Sequence, residues 1–248
     1  MSEPITGGPG SGPPSYTPPP GPPSVPPPGG LPARPGLPWD RGKSAGSLVE
    51  TVKELVTSPA AAFARMREKG DYVSPLLFII IVGGLGAIAG QIWQLVFGVP
   101  WMSMVPAEYQ GEYGEMMAAQ GASAVVMIVL WPILMPIIAF VGAAIYHVFL
   151  MILGGHRDST AGYEGTFRVV AYSSVAQLAQ VIPVAGGFVA MIWGIILMVL
   201  GLSSVHRTSQ GKALGAVLIP WVVCCLCGIL IAVMAGVGIA GMAGAFGD

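Results

Sequence analysis

Five apolar runs fill the chain after residue 75, at about Pro75–Phe97, Ala124–Leu153, Phe167–Ile182, Phe188–Ser204 and Ala213–Ala240, with short polar gaps between them. At 1.5 Å per residue the first is about 35 Å long, enough to cross a hydrocarbon core of about 30 Å. The second and fifth are longer and must tilt, kink or project, and Pro132 and Pro136 are natural kink points in the second. The third and fourth supply about 24 and 26 Å, just short of a crossing. Their connecting turn, Pro183-Val184-Ala185-Gly186-Gly187, carries no charge. Two crossings with local bilayer thinning are favoured over a re-entrant hairpin. The pattern predicts an all-α polytopic membrane bundle of five transmembrane helices over residues 73–242.

A different periodicity precedes the first run. Leu48, Val49, Val52, Leu55 and Val56 repeat as i, i+1, i+4, i+7, i+8 on one helical face, with Glu50, Lys53 and Glu54 opposite. Ser58-Pro59 reads as an N-cap followed by proline at the first helical position. The second helix, roughly 59–69, carries Phe63 and Met66 and ends in Arg65, Arg67 and Lys69. Two short amphipathic helices over 44–72 are therefore expected on the headgroup surface, each basic residue contributing about 1 kcal/mol against anionic lipid. Residues 1–43 are read as a disordered Pro/Gly tail, too poor in large apolar residues to offset chain ordering. Its PxxP spacings, Pro20 to Pro23 and Pro23 to Pro26, suit an aromatic groove on a membrane or cytoplasmic protein. Without a flanking Arg, a solvated spacer is the simpler reading.

Composition excludes a soluble fold, since apolar residues make up 54% and charged residues 9% of the chain, against about 25% charged in soluble domains. A net charge of −1 and the lack of a basic stripe away from the membrane argue against a nucleic-acid partner. The sign of the charges is sorted by gap. Of eleven Lys and Arg, seven precede the first run, and the rest fall in two gaps as Arg157 with Arg168 and Arg207 with Lys212. Glu108, Glu112 and Glu115 occupy the opposite gap. The positive-inside bias then puts the N-terminus in the cytoplasm and the C-terminus outside a cell membrane. It is silent on whether the third and fourth runs cross. Arg157, Arg207 and Lys212 join Phe63, Arg65, Arg67 and Lys69 as expected lipid-surface residues, and the bilayer is the expected partner.

Candidate chemistry is sparse. Ser173, Gln177 and Gln180 form an i, i+4, i+7 stripe in the third run, beside Tyr172 and Ser174. Such a stripe should turn into the bundle. Depth along the runs pairs His147 with Ser173 and Gln180 with Gln91 or Gln94. Interhelical hydrogen bonding is the plainer role; a water-lined path or small polar site is the sharper one. No Asp, Glu, Lys or Arg lies centrally in any run, which counts against ion-coupled transport. No HExxH, GxSxG or intramembrane carboxylate pair suggests an enzyme or a cofactor. Cys224, Cys225 and Cys227 lack the second ligand pair a zinc site needs and read as small packing residues. The GxxxG of Gly86 and Gly90, and the small residues at every fourth position, Gly228, Ala232, Gly236 and Ala240, suit close helix packing. Packing within one bundle is favoured over a homo-oligomer. The glutamates and the His-Arg loops read as a solvated face and topology anchors rather than cation or phosphate sites.

About residues 46–235, leaving out the Pro/Gly tail, resemble the Yip1-domain family, chiefly through the stretches 47–85 and 154–220. The resemblance rests on a Ser-Pro-x-x-x-Phe-like step at Ser58, Pro59 and Phe63, a basic cluster before the first run, and a Gly-rich loop at Gly154-Gly155. An Arg-x-x-x-Tyr-Ser step at Arg168, Tyr172 and Ser173, an Ile-Pro turn at Ile182-Pro183 and an Ile-Trp step at Ile192-Trp193 complete it. The resemblance implies five spans and a cytoplasmic N-terminus. Eukaryotic relatives act in vesicle traffic and bind Rab GTPases, but the Asp-Leu-Tyr-Gly-Pro motif of many of them is absent, so the chain looks more like the prokaryotic branch. The expected function is a non-enzymatic membrane protein that organises lipids or protein partners at the cytoplasmic face. The alternative is a transporter, channel or lipid scramblase using the third run's polar face.

Overall fold

The computed structural model describes residues 34–101, 110–157 and 159–245, and the expected tail over 1–33 lies outside them. Among the described residues every regular element is helical. A layer of short helices opens the chain: α1 (Pro38–Arg41), α2 (Ala45–Thr57) and α3 (Pro59–Arg65). Proline fits the first position of α1 and α3 because its missing N–H has no partner there anyway. Ser44 caps α2, accepting the Ser47 backbone N–H at 3.1 Å.

This layer folds onto the bundle rather than lying apart from it, which corrects two sequence expectations. Leu37, Trp39 and Asp40 are buried, so the folded chain begins at least six residues before the expected tail boundary at 43. Trp39 is held at both ends, its backbone N–H donating to Thr51 Oγ1 at 2.9 Å and its indole N–H to the Ser74 carbonyl at 2.8 Å. Phe63, expected against lipid, is fully buried together with Leu55, Ala62 and Met66. The reason is a glycine opposite: a Cβ on Gly201 would stand 3.1 Å from the Phe63 ring, so only glycine leaves room for it.

Among the described residues four helical stretches are long and apolar enough to cross a membrane: Val73–Phe97, Ile133–Ile152, Gly186–Val205 and Gln210–Ile231. The first combines α4 (Val73–Phe78), a π-turn over Ile79–Gly83 and α5 (Gly84–Trp101). The others belong to α6 (Gln110–Ile152), α8 (Gly186–Val205) and α9 (Gln210–Ala245). The third sequence run is built differently, as α7 (Gly162–Ser173) continued by a 3₁₀ segment over Ser174–Val181. The element starts at Gly162, five residues before the apolar run. With a 3₁₀ rise of about 2.0 Å per residue in its second part, residues 162–181 extend about 34 Å, against about 30 Å for the same stretch as α-helix.

The inner half of α9 buries Ala213, Ala216 and Val217, whereas the stretch 221–231 beyond Pro220 is exposed throughout. Cys224, Cys225 and Cys227 are exposed there, and nothing lies within 4 Å of a Cβ built on Gly228. These four residues therefore do not pack within the bundle among the described residues. The side chains of Ala232, Gly236 and Ala240, and the gap holding Glu108, lie outside the described residues.

Candidate functional site

Two arrangements concentrate polar chemistry. One sits at the end of the bundle that carries Arg157, Arg207 and Lys212, here called the basic end. Glu164, Arg168 and Tyr172 recur every four residues and share one face of α7. Arg168 is fully buried, its guanidinium donating to Asp40 Oδ1 at 3.1 Å, to the Asp71 carbonyl at 3.1 Å and to Glu164 Oε1 at 3.5 Å. The Tyr172 hydroxyl donates to the same Asp40 oxygen at 2.5 Å, and the second Asp40 oxygen accepts the Leu37 backbone N–H at 3.2 Å. Every polar group of the pair is thus partnered, as a buried ion pair requires. The charge sorting groups Arg168 with Arg157 among the cations of one gap; in the structure it is the centre of a clamp that fastens the N-terminal layer to the spans.

A second staple lies nearer the surface. Glu68 accepts from Arg207 at 2.7 Å and from the Thr160 hydroxyl at 3.2 Å, and pairs with Arg34 at 3.3 Å. Arg34 also donates to the Phe63 carbonyl at 3.1 Å and the Ser204 carbonyl at 2.9 Å. Asp71 caps the start of the first span, accepting the Ser74 N–H at 2.6 Å and its hydroxyl at 2.9 Å. Burial alone would push the Asp71 carboxyl up, but those bonds, with Lys43 and Arg168 nearby, hold it below its ordinary value.

The remaining sequence-predicted basic residues are distributed unevenly. Lys69, Arg157 and Lys212 are exposed, and none of them forms an ion pair among the described residues. Arg41, Lys43 and Lys53 share that condition. Arg65 is exposed but paired with Glu54 at 2.5 Å, and Arg67 is half-buried, its side chain beside Gly36.

His147 does not reach Ser173. Its Nδ1 lies 2.8 Å from Thr166 Oγ1, and Thr166 Oγ1 lies 2.8 Å from His206 Nε2. One hydroxyl can donate to one ring and accept from the other, so Thr166 joins the two imidazoles. His206 is fully buried and its Nδ1 has no partner among the described residues. Burial, and then His147, push its pKa down to about 4 against the opposing pull of Glu68, so the ring is neutral at pH 7.

The other arrangement lies between the spans. Ser174, Gln177 and Gln180 lean on the glycine face Gly83, Gly86 and Gly90. A Cβ on Gly86 would run into the Gln177 backbone, and one on Gly90 into the Gln180 amide. The GxxxG pair therefore packs inside one chain, admitting the 3₁₀ backbone at a distance no larger residue allows. Gln180 donates to Gln177 rather than to Gln91 or Gln94, and Trp93 donates its indole N–H to the Val181 carbonyl at 3.0 Å. Beside the 3₁₀ segment a cavity of about 490 Å³ runs between it and α6, α8 and α9, with Ser173, Gln177 and Gln180 among its lining. Four of its lining residues, Ile138, Gly187, Met191 and Trp221, are exposed, so the cavity opens sideways as a groove.

A family model described as Yip1 domain matches residues 53–232. No curated protein matches the chain, and no solved structure does.

Proposed function

The chain belongs to the Yip1 domain family, and we propose that it is a non-enzymatic, multi-pass protein of a bacterial cell membrane that gathers anionic lipid under its cytoplasmic layer. Five crossings, with α7 and the 3₁₀ segment as the third, put the N-terminus and both basic loops in the cytoplasm. The observation that carries the reading is the division of labour among the basic residues. Arg34, Arg168 and Arg207 hold the layer on the spans, while Arg41, Lys43, Lys53, Lys69, Arg157 and Lys212 stay exposed. A rigid layer that presents cations at the membrane edge attracts anionic headgroups at about 1 kcal/mol per residue and falls silent at high salt. Protein partners reached through residues 1–33 are the second half of the same reading.

The test uses the full chain in nanodiscs of equal phosphatidylglycerol and phosphatidylcholine, with spin-labelled lipids reporting the shell around the protein. Enrichment of phosphatidylglycerol that disappears when Lys43, Lys53, Lys69, Arg157 and Lys212 become Gln supports the reading. An identical shell around both proteins ends it. A scramblase or channel is the second reading, favoured by the polar row Ser173, Gln177 and Gln180. It requires Gln177→Leu to abolish flux in proteoliposomes that the unmodified chain makes leaky.

A further inference from the structure

We infer that the sideways groove is a binding site for one uncharged, hydrogen-bonding membrane lipid of the diacylglycerol class. The inference is independent of the basic surface at the other arrangement, because no lining residue of the groove is charged. A volume of about 490 Å³ falls within the roughly 300–1,000 Å³ typical of ligand sites. Most of the wall is apolar, with Met135, Met191 and Met198 contributing side chains that adapt to an irregular chain.

Its polar groups are few: Ser173, Gln177 and Gln180 lie along one wall, and Tyr146 of α6 adds a hydroxyl from another. Ser173 is buried, and its hydroxyl has no hydrogen-bond partner among the described residues. Gln177 accepts from Gln180, which leaves the Gln177 amide N–H groups without a partner among the described residues. The Tyr146 hydroxyl accepts the Trp221 indole N–H at 3.2 Å and keeps its own proton to give. A buried hydroxyl without a partner is costly, so a ligand that supplies one is favoured. From Ser173 to Gln180 the 3₁₀ rise spreads these groups over about 14 Å. That row suits a head with a hydroxyl and ester carbonyls, followed by acyl chain against the methionines.

The lining also says what does not fit. A phosphate headgroup would enter a wall with no Arg or Lys to compensate it, and burying an unpaired charge is far costlier than burying a hydroxyl. A bare hydrocarbon would leave Ser173 and the Gln177 amide unpaired. The groove therefore selects for an uncharged head against both.

Photocrosslinking tests this on the full chain in nanodiscs of phosphatidylethanolamine and phosphatidylglycerol. Two probes carry the same diazirine acyl chain, one a diacylglycerol and one a phosphatidylethanolamine. The diacylglycerol probe should label groove residues such as Met135, Met191 and Trp221 about fivefold more than the phospholipid probe does, the ratio one net hydrogen bond supports. Gly142→Leu should block the groove, because only the Tyr146 ring, at 4.0 Å, comes near a Cβ there. It should cut the adduct at least about fivefold without changing the melting temperature. Gly194→Leu does the same from the opposite wall, where a Cβ would meet only Ala176 at 3.7 Å, and serves if the first variant misfolds. Gln177→Leu should bring the two probes to parity. Equal labelling by both probes, adducts spread over the outer surface, or full labelling of a folded Gly142→Leu protein would each overturn the inference. The Lys-to-Gln protein described above keeps the groove, so failure of the lipid-shell experiment leaves this result unchanged.

Discussion

Arg168 and Asp40 are each worth more as a pair than either is alone. Removing Arg168 leaves Asp40 buried and uncompensated, and removing Asp40 leaves Arg168 only the longer contact to Glu164 at 3.5 Å, at a cost of up to about 3–5 kcal/mol. Asp40→Ala is therefore expected to lower the melting temperature in detergent sharply, while an Arg168→Met, Asp40→Leu double variant recovers much of the loss. A surface anchor in a loop would show neither effect. Phe63→Ala should cost about 3–5 kcal/mol as a core truncation, where a lipid-surface residue would cost little. His206 adds a pH term with a definite sign. Its folded pKa of about 4 lies below the ordinary 6.5, so its contribution is full above pH 6.5 and is lost as pH falls toward 4. That loss is at most about 3 kcal/mol from the shift alone, and His206→Gln should flatten melting curves recorded between pH 7 and pH 4. The Arg168 clamp left one trace in the sequence, the four-residue spacing of Glu164, Arg168 and Tyr172. Its acidic partner lies 128 residues away in a stretch of prolines, where no periodicity points to it.

At the scale of elements, four of the five apolar runs became helices long and apolar enough to span, because apolar length alone selects a spanning helix. The first and fourth match the hydropathy bounds closely, whereas the second lies within a helix that begins at Gln110. The third did not become such a helix, and its difference is physical. Gln177 and Gln180 satisfy the spacing of an α-helical stripe, yet their backbone is 3₁₀, and side-chain periodicity over eight residues cannot separate the two. What selects the tighter helix is the surface it meets, the glycine face of α5 on one side and Gly186 of α8 on the other. Gly86→Leu should therefore separate α5 from the 3₁₀ segment and destabilise the fold by several kcal/mol, read as lost melting temperature and faster proteolysis between α7 and α8. The turn behind this segment stores strain in the reverse sense. Val184 holds φ at 65° while 83% exposed, a conformation a β-branched residue resists. Val184→Gly should raise stability by about 1 kcal/mol in a thermal melt. The amphipathic stripe of α2 and α3 was legible as helix, but not its target. Burial of Leu55 and Phe63 in the bundle and a seat on lipid demand the same pattern.

For the whole molecule, the composition made the class plain and the charge sorting supplied an orientation, since both are sums over many residues. The tertiary arrangement that decides which cations are free, and which row of polar groups faces a groove, depends on pairs far apart in the chain. The functional reading rests on the basic layer facing the cytoplasm, with the turn at Val184 on the other side of the membrane. Cysteine accessibility measures this directly, in a full chain with Cys224, Cys225 and Cys227 replaced by Ala and one new cysteine at K43C or V184C. Both positions are exposed. In intact bacterial cells a membrane-impermeant maleimide should label V184C and leave K43C untouched until the membrane is opened. Labelling of K43C from outside, or a V184C that stays silent even after the membrane is opened, would contradict the orientation or the two crossings on which the account stands.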